Sequence, residues 1–539
     1  MSGNGEDLMP SRAQQGKQAR LMEAQCLQAL NQGRADEALQ LCQQLNHDYP
    51  DYARGWLLLS DMALRGSHPQ LALEAIDRAL SLQPGEPEFL LHKARLLYQA
   101  KQIAVLDVLL ERLAETPIHN ACLLADLAYL ENLRGRLSAA EQHYRQALVL
   151  DPGQVGYHFN LATVLRYVGK LDEAEVHLER AIALRPLDTE AHLLLSQLRR
   201  QTLDDHHLPR LRRLSEHPEL TRLQKAQVHY ALAKELEDLG HFQESVTALR
   251  QGAALKRANM RYEVDGDIAT LDKLRSVFDR QWLAQTKDGH DSEEPIFVLG
   301  LPRTGSTLVE RILSAHSEVQ SVGELNNFAL CIMAQCRRTF RQAPASKLKL
   351  VEMSAQLDMG LLGRDYVQST RPDTGQHRHF IDKLPLNSLN LGLIAKALPN
   401  SKLILVRRHP LDSCYAMFKQ LFTQGYPFSY DLKELAGYFI AHHRLMGHWQ
   451  ALLGDRLLCL DYETLVTQPE QQIQALLGYC NLPWQDACLT FHQHNEPSKT
   501  ASASQIRQPL YTSSVGKWRQ VEALLAPVHE AFTEAGIPC

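Results

Sequence analysis

The sequence offers little to several classes of function. No run of 18 or more apolar residues occurs in its 539 residues, which argues against a membrane-spanning helix. Met1 to Arg20 is polar and glutamine-rich, without the apolar core of a secretory signal. The formal net charge is only −5, so the chain as a whole has no general pull on nucleic acid or anionic lipid, and any basic site must be local. The ten cysteines are scattered, Cys331 and Cys336 lie five apart, and no CxxC pair exists. They read as reduced thiols of a cytoplasmic protein. A zinc pattern is also missing: His206–His207 and His442–His443 are neighbours, and neighbours one apart point to different faces of a helix.

What is present begins with length. A chain of 539 residues, 45% hydrophobic and 22% charged, has the composition of a soluble globular protein and exceeds a single hydrophobic core, so two or more domains are expected. Prolines at 50, 84, 117, 152 and 186 leave gaps of 34, 33, 35 and 34 residues, the period of a helical solenoid. Each sits where a helix must stop. Twelve residues before four of them stands alanine (Ala38, Ala72, Ala140, Ala174), with Val105 in the third unit. Five before three of them stands Ala79, Ala147 or Ala181. Small residues at fixed places let neighbouring helices approach, and Gly33, Gly135 and Gly169 mark the turns between them. The pattern resembles the tetratricopeptide repeat, a helix-turn-helix unit. The resemblance covers residues 17–186 clearly, is degenerate over 187–224, and returns at 225–257 with Tyr230, Ala233, Gly240, Phe242 and Ala248. Such an array binds a peptide or protein, or serves as a scaffold or dimer contact; the period names no ligand. Residues 1–16 read as a flexible N-terminus, 17–260 as the array, and 261–289 as a linker helix.

The pattern changes after about residue 285, beyond a charged link from Asp288 to Glu294. Short apolar runs at 295–300, 379–382, 402–406 and 457–461 are each followed by a helix-like stretch, at 307–316, 387–398, 411–423 and 463–477. Strand then helix, four times, predicts a parallel sheet covered on both faces, with ligands held in loops beyond the strands' carboxyl ends. The first such loop, Gly300-Leu-Pro-Arg-Thr-Gly-Ser-Thr307, has the spacing of a phosphate-binding loop with Ser306 in the lysine place. A glycine-rich turn entering a helix still aims N–H groups at an anion, and Arg303 supplies charge. The missing lysine disfavours an ordinary ATPase or kinase. The second loop carries Arg407 and Arg408 directly after a strand, where they can grip another phosphate.

Taken together, residues 290–539 resemble the sulfotransferases that use 3′-phosphoadenosine 5′-phosphosulfate (PAPS), tyrosylprotein sulfotransferases and bacterial tetratricopeptide-containing ones above all. The loop Pro302-Arg-Thr-Gly-Ser-Thr307 matches theirs. Glu324 stands 21 residues after Arg303 in a Gly-Glu pair, Lys383 lies in Asp382-Lys-Leu-Pro385, and Pro509 is followed eight residues later by Lys517-Trp518. One motif departs from the family. An arginine followed eight residues later by serine is expected, and the chain has Ala416 after Arg408 and Tyr415 after Arg407. Ser413 and Lys419 lie about one turn to either side.

The resemblance implies an α/β domain with a phosphate-binding-type loop and a parallel sheet, behind an all-α array. It implies sulfuryl transfer from PAPS to an acceptor hydroxyl, leaving adenosine 3′,5′-bisphosphate. Glu324 is then general base, Arg303 and Lys383 stabilise charge, and Arg303, Thr304, Gly305, Ser306, Thr307, Arg407, Arg408, Ser413 and Lys517 are donor-binding candidates. Ser502, Ser504, Ser513 and Ser514 are polar candidates in the last loop, and Trp518 is either an adenine platform or core. No metal is implied. Asp412 reads as an acid at a helix N-terminus, His316 as a helix-end residue, and Asp461-Tyr462-Glu463 as the anchor of the next helix. The acceptor stays open among tyrosyl peptide, carbohydrate, lipid and small phenol, and the rival reading is a repeat scaffold with an inactive enzyme-like domain.

Overall fold

The computed structural model describes residues 12–285, 289–493 and 510–539. Pro509, Ser502, Ser504 and Asp288 lie outside the described residues. Compactness divides the chain into Met1–Val164 and Leu165–Cys539, inside the helix Val155–Val168; the changes of sequence pattern near 260 and 290 fall within the second unit.

In the first unit, helices pair as Arg12–Asn31 with Ala35–Asp48, Ala53–Arg65 with Pro69–Leu82, Pro87–Gln99 with Ile103–Ala114, and Ala121–Leu133 with Leu137–Leu150. Pro50, Pro84, Pro117 and Pro152 stand just beyond the second helix of each pair. Ala38, Ala72 and Ala140 are fully buried, each donating its N–H to the residue capping its helix. The third repeat corrects the sequence reading. Val105 is 51% exposed, and Leu106, fully buried, takes the packing place with the same bond, to Gln102. Its helix has 12 residues against 14 in its counterparts, so counting back from the proline lands one residue short.

The turns keep a stricter beat than the prolines. Residues 33, 67, 101 and 135 all have left-handed φ, of 75°, 62°, 58° and 81°. Two are glycine, but Ser67 and Lys101 hold a conformation that costs an L-residue about 1 kcal/mol. Lys101→Gly should therefore stabilise the array by about 0.5–1 kcal/mol, the relief of strain exceeding the added freedom of the unfolded chain. A raised urea midpoint of the repeat transition checks it; a lowered one refutes it.

The second unit holds a five-stranded sheet in the order β2-β3-β1-β4-β5, with β1 Pro295–Gly300, β2 Val319–Ser321, β3 His379–Lys383, β4 Lys402–Arg407 and β5 Leu457–Asp461. Every pairing is parallel. Alternation explains the burial of both faces. Phe297, Leu299, Leu403 and Leu405 enter one core, and Ile296, Val298, Ile404 and Val406 the other. The sequence anticipated four strands; β2 was missed because it has three residues. Three helices, Asn327–Phe340, Lys347–Ser354 and Met359–Thr370, follow it before β3. The stretch expected as a helix over 387–398 opens as a 3-10 turn, Pro385–Asn390, and the one expected over 411–423 is the shorter Pro410–Phe418.

The first of these cores also takes in Leu208 to Ala253 from the last helices of the array, Leu208–Ser215, Arg222–Asp238 and Phe242–Arg257. Tyr230 donates to the Phe418 carbonyl at 3.1 Å, and Arg257 grips Glu434 with two bonds of 2.7 and 2.8 Å. Val264–Val277, in the stretch read as a linker, packs on Leu432–Leu453 and Lys347–Ser354. All ten cysteines are free thiols. Among the described residues no helix is long and apolar enough to cross a membrane.

Candidate active site

The β1 strand lies between β3 and β4, so the loop leaving it opens where the chain's crossovers reverse direction, the usual ligand crevice of such sheets. Two glycines make the loop possible. Gly300 has φ 146°, and a Cβ there would meet the Val406 carbonyl at 2.5 Å; Gly305 has φ 103°, and a Cβ there would meet the Tyr462 ring at 2.5 Å. Arg303 between them is also left-handed, φ 67°, strain of a kind that collects at functional loops. The Thr304 hydroxyl closes the turn on the Leu301 carbonyl at 2.8 Å. The helix Ser306–Ser314 starts at once, with Gly305 as its cap. The first N–H groups of a helix lack partners within it, the usual anion-binding arrangement; Ser306 is buried and Thr307 half-buried.

The second cluster forms at the end of β3, which is paired with β1 through Val298 and Lys383. Lys383 is 2% exposed and donates to Glu324 at 2.5 Å. Glu324 itself is 52% exposed, so the lysine holds it from below while a face stays open. Backbone fixes the pair: the Lys383 N–H donates to Gly323 at 2.9 Å, and Gly323 has φ 72°. A second carboxylate, Glu310 on the loop's helix, lies 3.8 Å from Lys383 and accepts from Ser321 at 2.6 Å. Sequence reasoning missed Glu310; its helix position, seven residues past Arg303, reads as an ordinary amphipathic face.

Beneath them Asp382 is fully buried and accepts from Tyr366 at 2.8 Å. Burial pushes its carboxyl up to about 7, against the Tyr366 hydroxyl and the Leu325 amide, which favour the charged form. The folded value lies above that of an unfolded aspartate, so the folded chain keeps a proton that the unfolded chain has lost. Stability should fall between pH 4 and 7 by on the order of 4 kcal/mol more in the native chain than in Asp382→Asn. Parallel urea-stability curves for the two would remove this account.

The strand-end arginines separate. Arg407 leaves the loop and makes two bonds of 2.9 and 3.0 Å to Asp461. Arg408 turns toward it, donating to the Arg303 carbonyl at 3.1 Å and the Ser514 carbonyl at 2.6 Å, with its guanidinium over the Tyr462 ring. Burial, and then Arg408, lower the Arg303 guanidinium from its ordinary pKa. Ser413 is buried and donates to the Arg408 carbonyl at 3.3 Å. Asp412 is more than a helix-end acid: buried, it accepts the N–H groups of Gly516 and Trp518 at 2.7 and 2.9 Å, which pins the Lys517-Trp518 segment against the Pro410–Phe418 helix. Trp518 stacks on His409 with centroids 5.6 Å apart. Glu463 accepts the His409 N–H at 2.9 Å, and Tyr462 bonds Ser514 at 2.6 Å. His316 binds the Pro483 carbonyl at 3.0 Å. Ser513 is exposed.

Lys419 and Lys517 meet at one carboxylate, Glu237, at the end of the Arg222–Asp238 helix. Lys419 donates to it at 2.9 Å, and Tyr415 at 2.7 Å. Glu237 was not among the residues singled out from sequence; it lies in the repeat array, where charge reads as surface.

A family model described as the sulfotransferase family matches residues 295–486. Tetratricopeptide-repeat models match 23–87, 57–104, 132–198 and 226–259. An uncharacterised protein of Aquifex aeolicus is 32% identical over 61% of this chain and 44% of its own length. Protein-tyrosine sulfotransferase 1 of Danio rerio is 28% identical over 42% of this chain and 64% of its own. The chain thus spans less than two thirds of either relative. Among solved structures, a sulfotransferase domain from the curacin biosynthetic pathway overlaps 47% of this chain and 99% of its own, at TM-score 0.33 and 18% identity. Residues 295–486 therefore form a domain of the sulfotransferase family, carried on one chain with tetratricopeptide repeats.

Proposed function

We propose that this domain transfers a sulfuryl group from PAPS to an acceptor hydroxyl, with Glu324 as general base. The observation that carries the reading is the Lys383–Glu324 contact of 2.5 Å at the end of a strand adjoining the anion-binding loop. A half-exposed carboxylate fixed by a buried ammonium is placed to take a proton from an arriving acceptor. The match is best for a phenol, whose pKa near 10 lies closer to a carboxylate's than an alkyl alcohol's does. A tyrosyl side chain of a peptide or protein is the acceptor we favour, in keeping with relatives named protein-tyrosine sulfotransferases.

The donor fits the residues present. Arg408 Nε is buried without a hydrogen bond, Arg408 lies against the Arg303 carbonyl, and Lys419 stands in the field of Arg303 and Lys517, so positive charge collects beside the loop. When bound, PAPS supplies an activated sulfate whose transfer depends on position and charge rather than on covalent work by the protein. The first N–H groups of the Ser306–Ser314 helix, through Ser306 and Thr307, hold phosphate oxygens. Arg303 and Lys383 meet the charge that grows during transfer. Arg407, engaged with Asp461, acts from outside this shell. The repeat array presents the peptide or protein that carries the acceptor.

The test is transfer of labelled sulfate from PAPS to tyrosyl peptides and lysate fractions, with Glu324→Ala as control. Label incorporated by the native chain and lost in the variant is expected. Equal labelling by both removes Glu324 from the mechanism. No labelling, together with no preference for adenosine 3′,5′-bisphosphate over ATP in thermal shift, removes the reading.

A further inference from the structure

Glu237 is an acid in an unfavourable place for its own helix. It lies in the last turn of Arg222–Asp238, where the helix dipole disfavours negative charge. Its side chain is 8% exposed. Burial alone would raise its pKa, yet Lys419 and then Lys517 outweigh burial and hold it at about 2. Tyr415 gives the carboxylate a third donor. Both lysines come from segments outside the array: Lys419 caps the Pro410–Phe418 helix that follows β4, and Lys517 opens the segment pinned by Asp412.

The charges around it are unbalanced. Lys419 sits in the field of Lys517 and Arg303, and burial with these neighbours lowers its ammonium to about 8 even though Glu237 favours the charged form. Arg408 lies against the Arg303 backbone. One carboxylate thus faces two lysines, a pair that would be better balanced by a dianionic phosphate than by a single negative charge. The side chains of Lys419 and Lys517 are partly exposed, at 28% and 31%.

We propose that Glu237 is an internal anion that holds Lys419 and Lys517 in the unliganded protein, and that a phosphate group of the donor displaces it. The last repeat helix thereby sets donor affinity, and movement of that helix would couple the array to the donor site. The inference rests on the donor reading given under Proposed function. Glu237 acts here as a positioning residue, competing for the lysines without touching the reacting atoms.

Calorimetric titration of the full chain with adenosine 3′,5′-bisphosphate, and separately with inorganic pyrophosphate, tests it at one fixed salt concentration. Glu237→Gln keeps the shape and a partner for Tyr415 while removing the competing charge. Its dissociation constants for both probes are expected to fall about tenfold or more. Damage to the site would move them the other way, so unchanged or weakened binding in a folded variant overturns the proposal. Glu237→Asp keeps the charge with a shorter reach and should give a smaller gain; if Glu237→Gln does not fold, no gain in Glu237→Asp overturns the proposal. Tightening for pyrophosphate alone, with no bisphosphate binding by either protein, would leave the displaced anion standing and remove the nucleotide donor. Bisphosphate binding by the native chain without any gain in the variants would do the reverse.

Discussion

Glu324→Gln is expected to lower the turnover of sulfuryl transfer roughly 10²–10⁴-fold, the usual contribution of a positioned proton acceptor, with little change in KM. The amide oxygen can still accept the Lys383 hydrogen bond, so the loop around Gly323 keeps its shape, but the side chain can no longer take a proton. The buried Lys383 keeps Glu310 as a second carboxylate at 3.8 Å, so the melting temperature should hardly move. Single-turnover measurement at saturating donor separates this from a binding defect: the transfer step itself should slow in the variant while donor affinity holds. A variant retaining more than about a tenth of the native rate would hand the proton to another group, because general-base losses of this kind seldom fall below a hundredfold.

The parts of the fold legible in sequence are those fixed by backbone demands or by uniform burial. The repeat period survives because proline and the left-handed turn each impose a geometry whatever the side chains do, and Ser67 and Lys101 keep the turn even without glycine. Strands β1, β3, β4 and β5 were visible because a sheet buried on both faces leaves apolar runs. The loop at 300–307 was visible because its glycines sit where a Cβ would strike Val406 and Tyr462. What could not be read depends on contacts distant in sequence. The β2 strand is too short to show a period, and the length of the Ile103–Ala114 helix decides whether Val105 or Leu106 packs. Glu310 and Glu237 look like surface acids until Lys383, and then Lys419 and Lys517, are placed against them from 73 to 280 residues away. The departure at Ala416 has a structural counterpart in the same helix: the preceding residue, Tyr415, gives its hydroxyl to Glu237.

Lys383→Met is the change expected to damage both folding and chemistry, for two separable reasons. Lys383 is 2% exposed and Glu310 8% exposed, so removing the ammonium leaves a buried carboxylate that still accepts from Ser321 but has lost its cation. Breaking one side of a buried pair typically costs about 3–5 kcal/mol. The same ammonium orients Glu324 and meets charge on the transferred group, and loss of one such donor typically costs roughly 10²–10³ in rate. Neutralising the stranded acid should repair only the first defect. The double variant Lys383→Met/Glu310→Gln is therefore expected to regain most of the urea stability while its transfer rate stays near that of the single variant, since nothing in it restores a cation beside Glu324. Recovery of rate along with stability would mean that Lys383 serves the fold alone; a single variant as stable as the native chain would mean that the ion pair beneath the site does not form.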